Sequence, residues 1–247
     1  YVIAQAKIIL AETNKIQNIV SHFTDTVEGD LHIGIIPTLA STLLPLFIGD
    51  FVRKYPEVSL KVSESETRIL IEQLNRRELD VAIAVTPISD DNILHQPIFY
   101  EGIKVYASPQ HSLYQKAEVA QSDLSQQGIW LLSQGHCFRD QVLNLCSFRK
   151  ENRNPFEYTS GSLETVKKLV DREGGFTLLP ELFIDELPIE DQAHIREIQS
   201  PKPLREVSLI YTRQFAKKKL IENLVSHIQE FIPNKMQTAN GSVVEWT

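Results

Sequence analysis

The stretch LHIGIIPT, residues 31–38, decides how this chain folds. Its first six residues form an apolar run of strand length, and the Pro-Thr pair that follows opens a helical pattern of apolar residues. Two more apolar strands are predicted at 58–62 and 79–85, with a helix at 66–77 between them. Because buried strands that alternate with helices build a parallel sheet covered on both faces, we predict an α/β fold.

A second α/β unit follows the first one along the chain. Apolar segments of strand length recur between residues 100 and 205, separated by helical patterns. After two prolines near residue 202, a further strand and an amphipathic helix return to the first unit. We therefore expect two Rossmann-like subdomains joined by a double crossover, with subdomain I at 28–99 and 206–232 and subdomain II at 100–205.

The two ends of the chain are predicted to lie outside these subdomains. Apolar residues recur at alternating three- and four-residue steps through 1–27, which predicts a linker helix that packs along another helix. An amphipathic helix that lies on its own domain is the alternative. Residues 233–247 lose the helical periodicity, and we expect them to form a mobile tail.

Composition and charge argue against several functional classes. With a net charge of -7, the chain is not expected to hold nucleic acid by itself, because phosphate contacts require clustered Lys and Arg. The histidines lack metal-ligand spacing, and no dinucleotide or P-loop motif occurs, so we expect neither a metal nor a cofactor. No long apolar run suggests a membrane span, and we expect a cytoplasmic protein.

The stretch QGHCFRDQVLNLC, residues 134–146, contains both cysteines of the chain. Arg139 can supply positive charge to Cys137, and a helical pattern from about Phe138 places Cys137 at a helix N-terminus. Both features favour the thiolate, which is the nucleophilic form. Cys146 lies among apolar neighbours, so we predict one exposed, reactive cysteine and one buried cysteine. A pair of structural cysteines is the alternative.

Polar side chains that could assist a reactive cysteine occur in two parts of the chain. His136 directly precedes Cys137, and Asp140 follows it within one helical turn. Thr38 and Thr67 each follow a predicted strand, at the edge where open α/β sheets place their ligand crevice. A threonine at this position is also a common helix N-cap, and a histidine beside a cysteine is as often an orienting or core residue as a proton donor.

The run GHCFRDQ, followed at this spacing by LC, resembles the redox loop of the OxyR-type regulators, which are LysR-type transcription factors that sense hydrogen peroxide. Further matches are LHIGIIPT at 31–38, SLET at 162–165 and GGFTLLP at 174–180, so the resemblance extends from about residue 1 to residue 232. It implies a periplasmic-binding-protein-like regulatory domain with a linker helix, and a chain that lacks the winged helix-turn-helix domain of the family.

The resemblance also implies a role for each residue of the site. Hydrogen peroxide would oxidise the Cys137 thiolate to sulfenic acid, and Cys146 would then form a disulfide with it. Arg139 would hold the thiolate. The residues that would donate or relay hydrogen bonds to the peroxide are Thr38, Thr67 and His136, while Asp140 is a polar neighbour without an assigned role.

For the intact protein, the resemblance implies a transcription activator of oxidative-stress genes that is not an enzyme. It implies a homodimer in which the linker helix takes part, and a tetramer at full length. DNA would be bound only through the missing N-terminal domain, RNA polymerase would be a further partner, and a thiol reductant would recycle the disulfide. No membrane partner is implied.

Two other functions stay open. The first is a LysR-type effector domain that binds a small metabolite in the cleft between its subdomains, with incidental cysteines. The second is a thiol oxidoreductase, which the absence of a C-x-x-C pair and of a cofactor motif disfavours. Thiol titration after stoichiometric peroxide separates these functions, because only the sensor loses two thiols per chain without sustained turnover.

Overall fold

The computed structural model describes residues 28–146, 161–213 and 218–246, together with Gln5 and Phe215. Apart from Gln5, the predicted linker helix at 1–27 lies outside the described residues. The helices are α1 (Pro37–Lys54), α2 (Thr67–Asn75), α3 (Cys137–Cys146), α4 (Leu163–Glu173), α5 (Glu181–Asp185), α6 (Ile189–Gln192) and α7 (Lys218–Phe231). The strands are β1 (Gly29–Ile35), β2 (Val58–Glu64), β3 (Val81–Thr86), β4 (Ile93–Ala107), β5 (Glu118–Val119), β6 (Phe176–Pro180), β7 (Ile195–Ile198), β8 (Pro203–Thr212) and β9 (Ser242–Val243).

Strands β2, β1 and β3 run parallel, as the first α/β unit predicts. Strand β1 lies between the other two, and Ile33 is aligned with Val62 of β2 and Val81 of β3. Strand β8 continues the sheet on the far side of β3 in the antiparallel sense, and β4 follows it. The strand order is β2-β1-β3-β8-β4-β7-β5, so a late strand returns to the first unit.

Two clusters of buried apolar side chains share the long strand β4. Ile98 and Phe99 belong to the first cluster, together with α1, α2 and α7, whereas Val105 and Ala107 belong to the second, with α3 and α4. Cys137 is an exception, because it packs in the first cluster while the apolar side chains that follow it in α3 pack in the second. The N-terminus of α3 therefore lies at the border of the two clusters.

The segment at 233–247, predicted to be a mobile tail, is instead packed in the structure up to residue 246. Strand β9 pairs in parallel with β8, and Nε2 of Gln141 in α3 donates a hydrogen bond to the Val244 carbonyl at 2.7 Å. The indole Nε1 of Trp246 donates to the Val85 carbonyl at 3.1 Å, and this side chain is buried. Strand pairing and one buried aromatic side chain hold the segment. Neither feature produces a helical periodicity in the sequence, and the prediction relied on that periodicity alone.

Within the described ranges, none of the helices combines the length and the apolar content that a membrane span requires.

Candidate redox site

Cys137 is the first residue of α3, at the loop-to-helix junction that the sequence predicts. Helix α3 forms here because Phe138, Val142 and Leu145 recur at helical spacing and are buried in the second cluster. The first backbone N–H groups of a helix have no partner within the helix. The N–H of Phe138 is one of these groups, and its interaction with the Cys137 sulfur lowers the pKa of the thiol.

The prediction that Cys137 is exposed is wrong, because only 3% of the residue reaches solvent. This burial raises the pKa of the Cys137 thiol, since the thiolate loses hydration. The hydroxyl of Thr67 and the charge of Arg205 both lower that pKa, and the charge of Asp140 raises it. The reduced site is therefore a shielded thiol with groups around it that can stabilise a negative charge.

Arg139 does not have the geometry that the sequence suggested for it. Its Nη1 donates a hydrogen bond to the backbone carbonyl of Leu132 at 2.6 Å, which ties the start of α3 to the preceding loop. The cation that lowers the pKa of Cys137 comes from another part of the chain, Arg205 in β8. The prediction that Arg139 supplies the charge is therefore wrong in its assignment of the cation.

Arg205 is fully buried and connects β8 with the start of α1. Its Nη1 donates to the Thr38 hydroxyl at 3.1 Å, and its Nη2 donates to the Thr38 carbonyl at 3.2 Å. The guanidinium carbon also lies 5.2 Å from the ring centroid of Phe138, the residue after Cys137. These contacts fix the planar guanidinium beside the reactive thiol.

Glu101 is the buried counter-ion of Arg205. The two residues are directly opposite each other in the β4–β8 ladder, and Oε1 of Glu101 accepts a hydrogen bond from Nε of Arg205 at 2.5 Å. Oε2 accepts from the backbone N–H of Leu182 at 3.1 Å. Burial raises the pKa of Glu101, and Arg205 and the Leu182 N–H both lower it. Both carboxylate oxygens thus have donors, as a buried charge requires.

Thr38 and Thr67 are buried near the N-termini of α1 and α2, after β1 and β2, as the sequence predicts. Neither is an N-cap, because Ile36 and Glu66 occupy the cap positions and make no side-chain cap hydrogen bond. The Thr67 hydroxyl makes no hydrogen bond of good geometry, although it is close enough to the Cys137 sulfur to lower the thiol pKa. The alternative interpretation of the two threonines as caps is therefore excluded.

His136 is buried directly before Cys137. Burial lowers the pKa of its imidazole, and the carboxylates of Glu64 and Glu66 raise it. A side chain at Gly161 would overlap the imidazole ring, so this glycine allows the close approach of its own backbone to His136. Gly135 has a φ of +104°, and a Cβ there would overlap the Glu66 carboxylate, so the loop before Cys137 requires glycine.

Asp140 lies one turn into α3 and is partly buried. Burial raises the pKa of its carboxyl group, and the charges of Arg139 and Arg68 lower it. Its negative charge raises the pKa of the Cys137 thiol, so Asp140 opposes the thiolate instead of supporting it.

Cys146 is the last residue of the ten-residue helix α3 and is fully buried, as predicted. Burial raises the pKa of its thiol to about 12. Both cysteines are free in this structure. At a rise of about 1.5 Å per residue, the two Cα atoms lie roughly 13 Å apart along α3, whereas a disulfide requires a separation below about 7 Å. A disulfide cannot form while α3 keeps this conformation.

Metal chemistry finds no support within the part of the chain that the structure describes. In that part, no three His, Cys, Asp or Glu side chains gather in an arrangement that could hold an ion.

A model of the family described as the LysR substrate binding domain matches residues 24–232. The chain belongs to this family. A hydrogen peroxide-inducible genes activator from Dickeya chrysanthemi is 30% identical to this LysR-type domain over 235 residues, which are 95% of this chain and 77% of the relative. A DNA-binding transcriptional dual regulator, OxyR from Escherichia coli, is 29% identical over 84% of this chain and 68% of its own length.

Solved structures of OxyR resemble the LysR-type domain as a whole. The crystal structure of OxyR from Porphyromonas gingivalis matches with a TM-score of 0.81 and 26% identity, over 88% of this chain and 100% of that chain. A crystal structure of the oxidised form of OxyR matches with a TM-score of 0.71 and 28% identity, over 85% of this chain and 99% of that chain. The predicted family and the periplasmic-binding-protein-like α/β fold are both confirmed.

A cleft of about 910 Å³ opens beside His136 in this LysR-type domain. It is bordered by α1 and by the residues that precede α4, including Gly161 and Ser162. The described residues that line it include neither Lys nor Arg, whereas four glutamates contribute: Glu64, Glu66, Glu164 and Glu186. A metabolite bound there would meet a negatively charged wall, which disfavours carboxylate and phosphate ligands.

Proposed function

We propose that this LysR-type domain senses hydrogen peroxide, with Cys137 as the reactive thiol and Cys146 as the resolving thiol. The observation that carries the proposal is the position of Cys137 at the N-terminus of α3, where burial raises the pKa of its thiol and Thr67 and Arg205 offset part of that rise. A second free thiol ends the same helix. Relatives with names such as hydrogen peroxide-inducible genes activator support the same assignment.

The chemistry proceeds in two balanced steps. The Cys137 thiolate attacks one oxygen of hydrogen peroxide, a sulfur–oxygen bond forms, and the oxygen–oxygen bond breaks. The products are a sulfenic acid on Cys137 and hydroxide, which takes up a proton and becomes water. The Cys146 thiol then attacks the oxidised sulfur, which forms the disulfide and releases a second molecule of water.

The buried threonines are the groups that select and orient the peroxide. The Thr67 hydroxyl has no hydrogen-bond partner of good geometry among the described residues, so it is free to bind a peroxide oxygen next to the sulfur. The Thr38 hydroxyl accepts from Arg205 and can donate its own hydrogen to the departing oxygen. Stabilisation of the charge on that oxygen lowers the barrier of the first step. His136 is a further donor or relay at the edge of the cleft.

The second step requires a change in α3. Because the two Cα atoms lie roughly 13 Å apart, the helix unwinds before the sulfurs meet. Val142 and Leu145 then leave the second cluster, and the surface that they covered becomes available. A rearranged surface of this kind alters how two regulatory domains pair, which is the output that we assign to oxidation.

For the intact protein, we propose a cytoplasmic transcription activator that is not an enzyme. It pairs as a homodimer with the linker helix at 1–27 and forms a tetramer at full length. DNA is bound through the winged helix-turn-helix domain of the family, and RNA polymerase is a partner at the promoter. A cellular thiol reductant restores the two thiols. Within the domain, we propose that 28–99 with 206–232 and 100–205 act as the two subdomains.

Thiol titration of the reduced chain after one equivalent of peroxide tests the proposal. The expected result is the loss of both thiols within one chain, and the Cys146→Ser variant should lose its remaining thiol as a trapped sulfenic acid. Unchanged thiols would contradict the sensor and leave metabolite binding in the cleft as the function. Continuous peroxide consumption with a dithiol substrate would indicate an oxidoreductase instead.

The cleft gives the metabolite-binding alternative a specific observation in its favour, since its size is that of a small-molecule site. Its glutamates predict a neutral or cationic ligand. A thermal shift with cationic metabolites, together with a peroxide-inert Cys137, would establish this second function.

A further inference from the structure

The ion pair between Glu101 and Arg205 is fully buried on both sides. Both side chains are 0% exposed, and their closest contact is 2.5 Å. Among described residues, the other ion pairs that lie within 4 Å all include at least one partner with measurable exposure. Burial of two charges in a protein interior is costly unless their hydrogen bonds are complete.

The guanidinium of Arg205 is divided between two neighbours. Its Nε donates to Glu101, Nη1 and Nη2 donate to Thr38, and the guanidinium carbon lies 5.2 Å from the ring centroid of Phe138. Phe138 directly follows Cys137, and the charge of Arg205 acts on the Cys137 thiol, so the same cation interacts with the carboxylate of Glu101 and with the reactive thiol.

The charged groups that act on the Cys137 thiol come from three elements. Arg205 on β8 favours the thiolate, and Asp140 within α3 opposes it. Glu101 on β4 acts through Arg205. The imidazole of His136, which precedes the thiol, interacts electrostatically with Glu64 and Glu66 of the first unit. The balance at the sulfur therefore depends on how much of the Arg205 charge is left unneutralised.

A cation that is paired with a buried carboxylate exerts a weak field on a third group. Two opposite charges in contact form a dipole, and its field falls off faster with distance than the field of a single charge. Removal of the carboxylate leaves a full positive charge in a medium of low dielectric constant, which favours any nearby anion. Here, the nearby group that can become an anion is the Cys137 thiol.

We propose that Glu101 is a positioning residue that competes with the Cys137 thiolate for the charge of Arg205 and holds the resting thiol protonated. The purpose of this competition rests on the proposed function. A protonated thiol reacts slowly with other electrophiles, while Thr38 and Thr67 remain able to bind peroxide. The competition itself requires no peroxide.

The test is the pH midpoint of thiolate formation at Cys137, measured by ultraviolet thiolate absorbance and by the rate of iodoacetamide alkylation. The Cys146→Ser background leaves one thiol in the chain. Glu101→Gln should lower the midpoint by about one pH unit or more, which accelerates alkylation about tenfold at a pH below the midpoint. An unchanged or higher midpoint overturns the proposal.

Glu181→Gln is the matched control. Glu181 is a carboxylate of the same neighbourhood, but its partners are Lys104, Lys235 and the N–H of Gly102. Its replacement should leave the midpoint of Cys137 unchanged, whereas an equal fall in both variants would indicate a general loss of negative charge and would overturn the specific role of Glu101.

Glu101→Asp keeps the test decisive if Glu101→Gln does not fold. The aspartate retains the counter-charge but withdraws it from Nε by about one bond length. Its midpoint should fall between those of wild type and a neutral variant, and a midpoint at or above the wild-type value contradicts the proposal. A lowered midpoint in the Glu101 variants, together with a wild-type protein that does not react with peroxide, would support the competition and refute the proposed sensing function. A wild-type protein that reacts with peroxide, together with an unchanged midpoint in the variants, would support the sensing function and refute the competition.

Discussion

Arg205 and Thr38 are 167 residues apart in the sequence, yet Nη1 of the arginine lies 3.1 Å from the threonine hydroxyl. This hydrogen bond joins β8 to the start of α1. Because the Thr38 oxygen accepts from a cation, its own hydrogen is left for a second acceptor. The threonine thus connects a structural contact with the chemistry that we propose.

Thr38→Val should affect both stability and peroxide reactivity. The variant loses a buried hydrogen bond to a charged group, and we expect the free energy of unfolding to fall by about 2 kcal/mol. We also expect oxidation of Cys137 to slow at least about tenfold, since a charge-stabilising donor is gone. Urea unfolding and stopped-flow oxidation measure the two effects. A loss of stability with an unchanged oxidation rate would leave Thr38 only as an anchor for Arg205.

Thr67→Val should behave differently, because the Thr67 hydroxyl is buried without a hydrogen-bond partner of good geometry. Replacement of an unsatisfied hydroxyl with a methyl group of similar shape should leave the reduced protein within about 0.5 kcal/mol of wild type or make it more stable. Peroxide oxidation should nevertheless slow by a factor similar to that for Thr38→Val. A wild-type oxidation rate in this stable variant would remove Thr67 from the site.

The two thiols should differ in alkylation. Groups around Cys137 offset part of its burial, whereas burial alone raises the pKa of Cys146 to about 12. At pH 8 we expect iodoacetamide to label Cys137 at least about tenfold faster, because alkylation follows the thiolate fraction. Peptide mapping after brief labelling measures the ratio. Preferential labelling of Cys146 would reverse the roles that we assign.

Burial of Cys146 should also make stability depend on pH in alkali. In the unfolded chain, this thiol loses its proton near about pH 8.5, whereas in the folded chain it keeps it until about 12. The unfolded state therefore binds fewer protons between these values, and the free energy of unfolding falls as the pH rises through this window. Cys146→Ala should flatten that part of the profile of Tm against pH. An unaltered slope would show that other groups cause the loss.

Oxidation should remove hydrogen-exchange protection from α3 and from the segment packed on it. Gln141 and Asn144 of α3 donate to the Val244 and Glu245 carbonyls, so unwinding of α3 breaks both contacts. We expect exchange to increase in 138–146 and in 242–246 after disulfide formation. Cys146→Ser, which forms sulfenic acid without a bridge, should keep its protection. Equal protection in the reduced and disulfide forms of wild type would refute the proposed unwinding.

Much of the fold follows from local sequence. The apolar strands around Ile33 and Val81 and the helix that begins at Cys137 were predictable because their periodicities are local. The positions of Thr38 and Thr67 were predictable for the same reason, since each residue closely follows the end of a strand.

The charges of the site were harder to predict because their pairing depends on strand register. Glu101 and Arg205 are 104 residues apart and become neighbours only when β4 and β8 align. A signal did exist, because the two strands carry opposite charges, and opposite charges in neighbouring antiparallel strands favour pairing. Arg139 was closer to Cys137 in sequence, but the helix turns it toward the Leu132 carbonyl. Sequence proximity was therefore a poor guide to the cation.

The position of Arg205 in β8 has a consequence for the synthesis of the protein on the ribosome. Cys137 is synthesised about 70 residues before Arg205. At a rate of roughly 5 to 20 residues per second, the arginine is added roughly 4 to 14 s after the cysteine. Strand β9, which lies against β8, and the α3 contacts of Val244 come later still. In the growing chain, Cys137 is therefore an ordinary thiol, and the proposed site is complete only after β8 has been translated and folded.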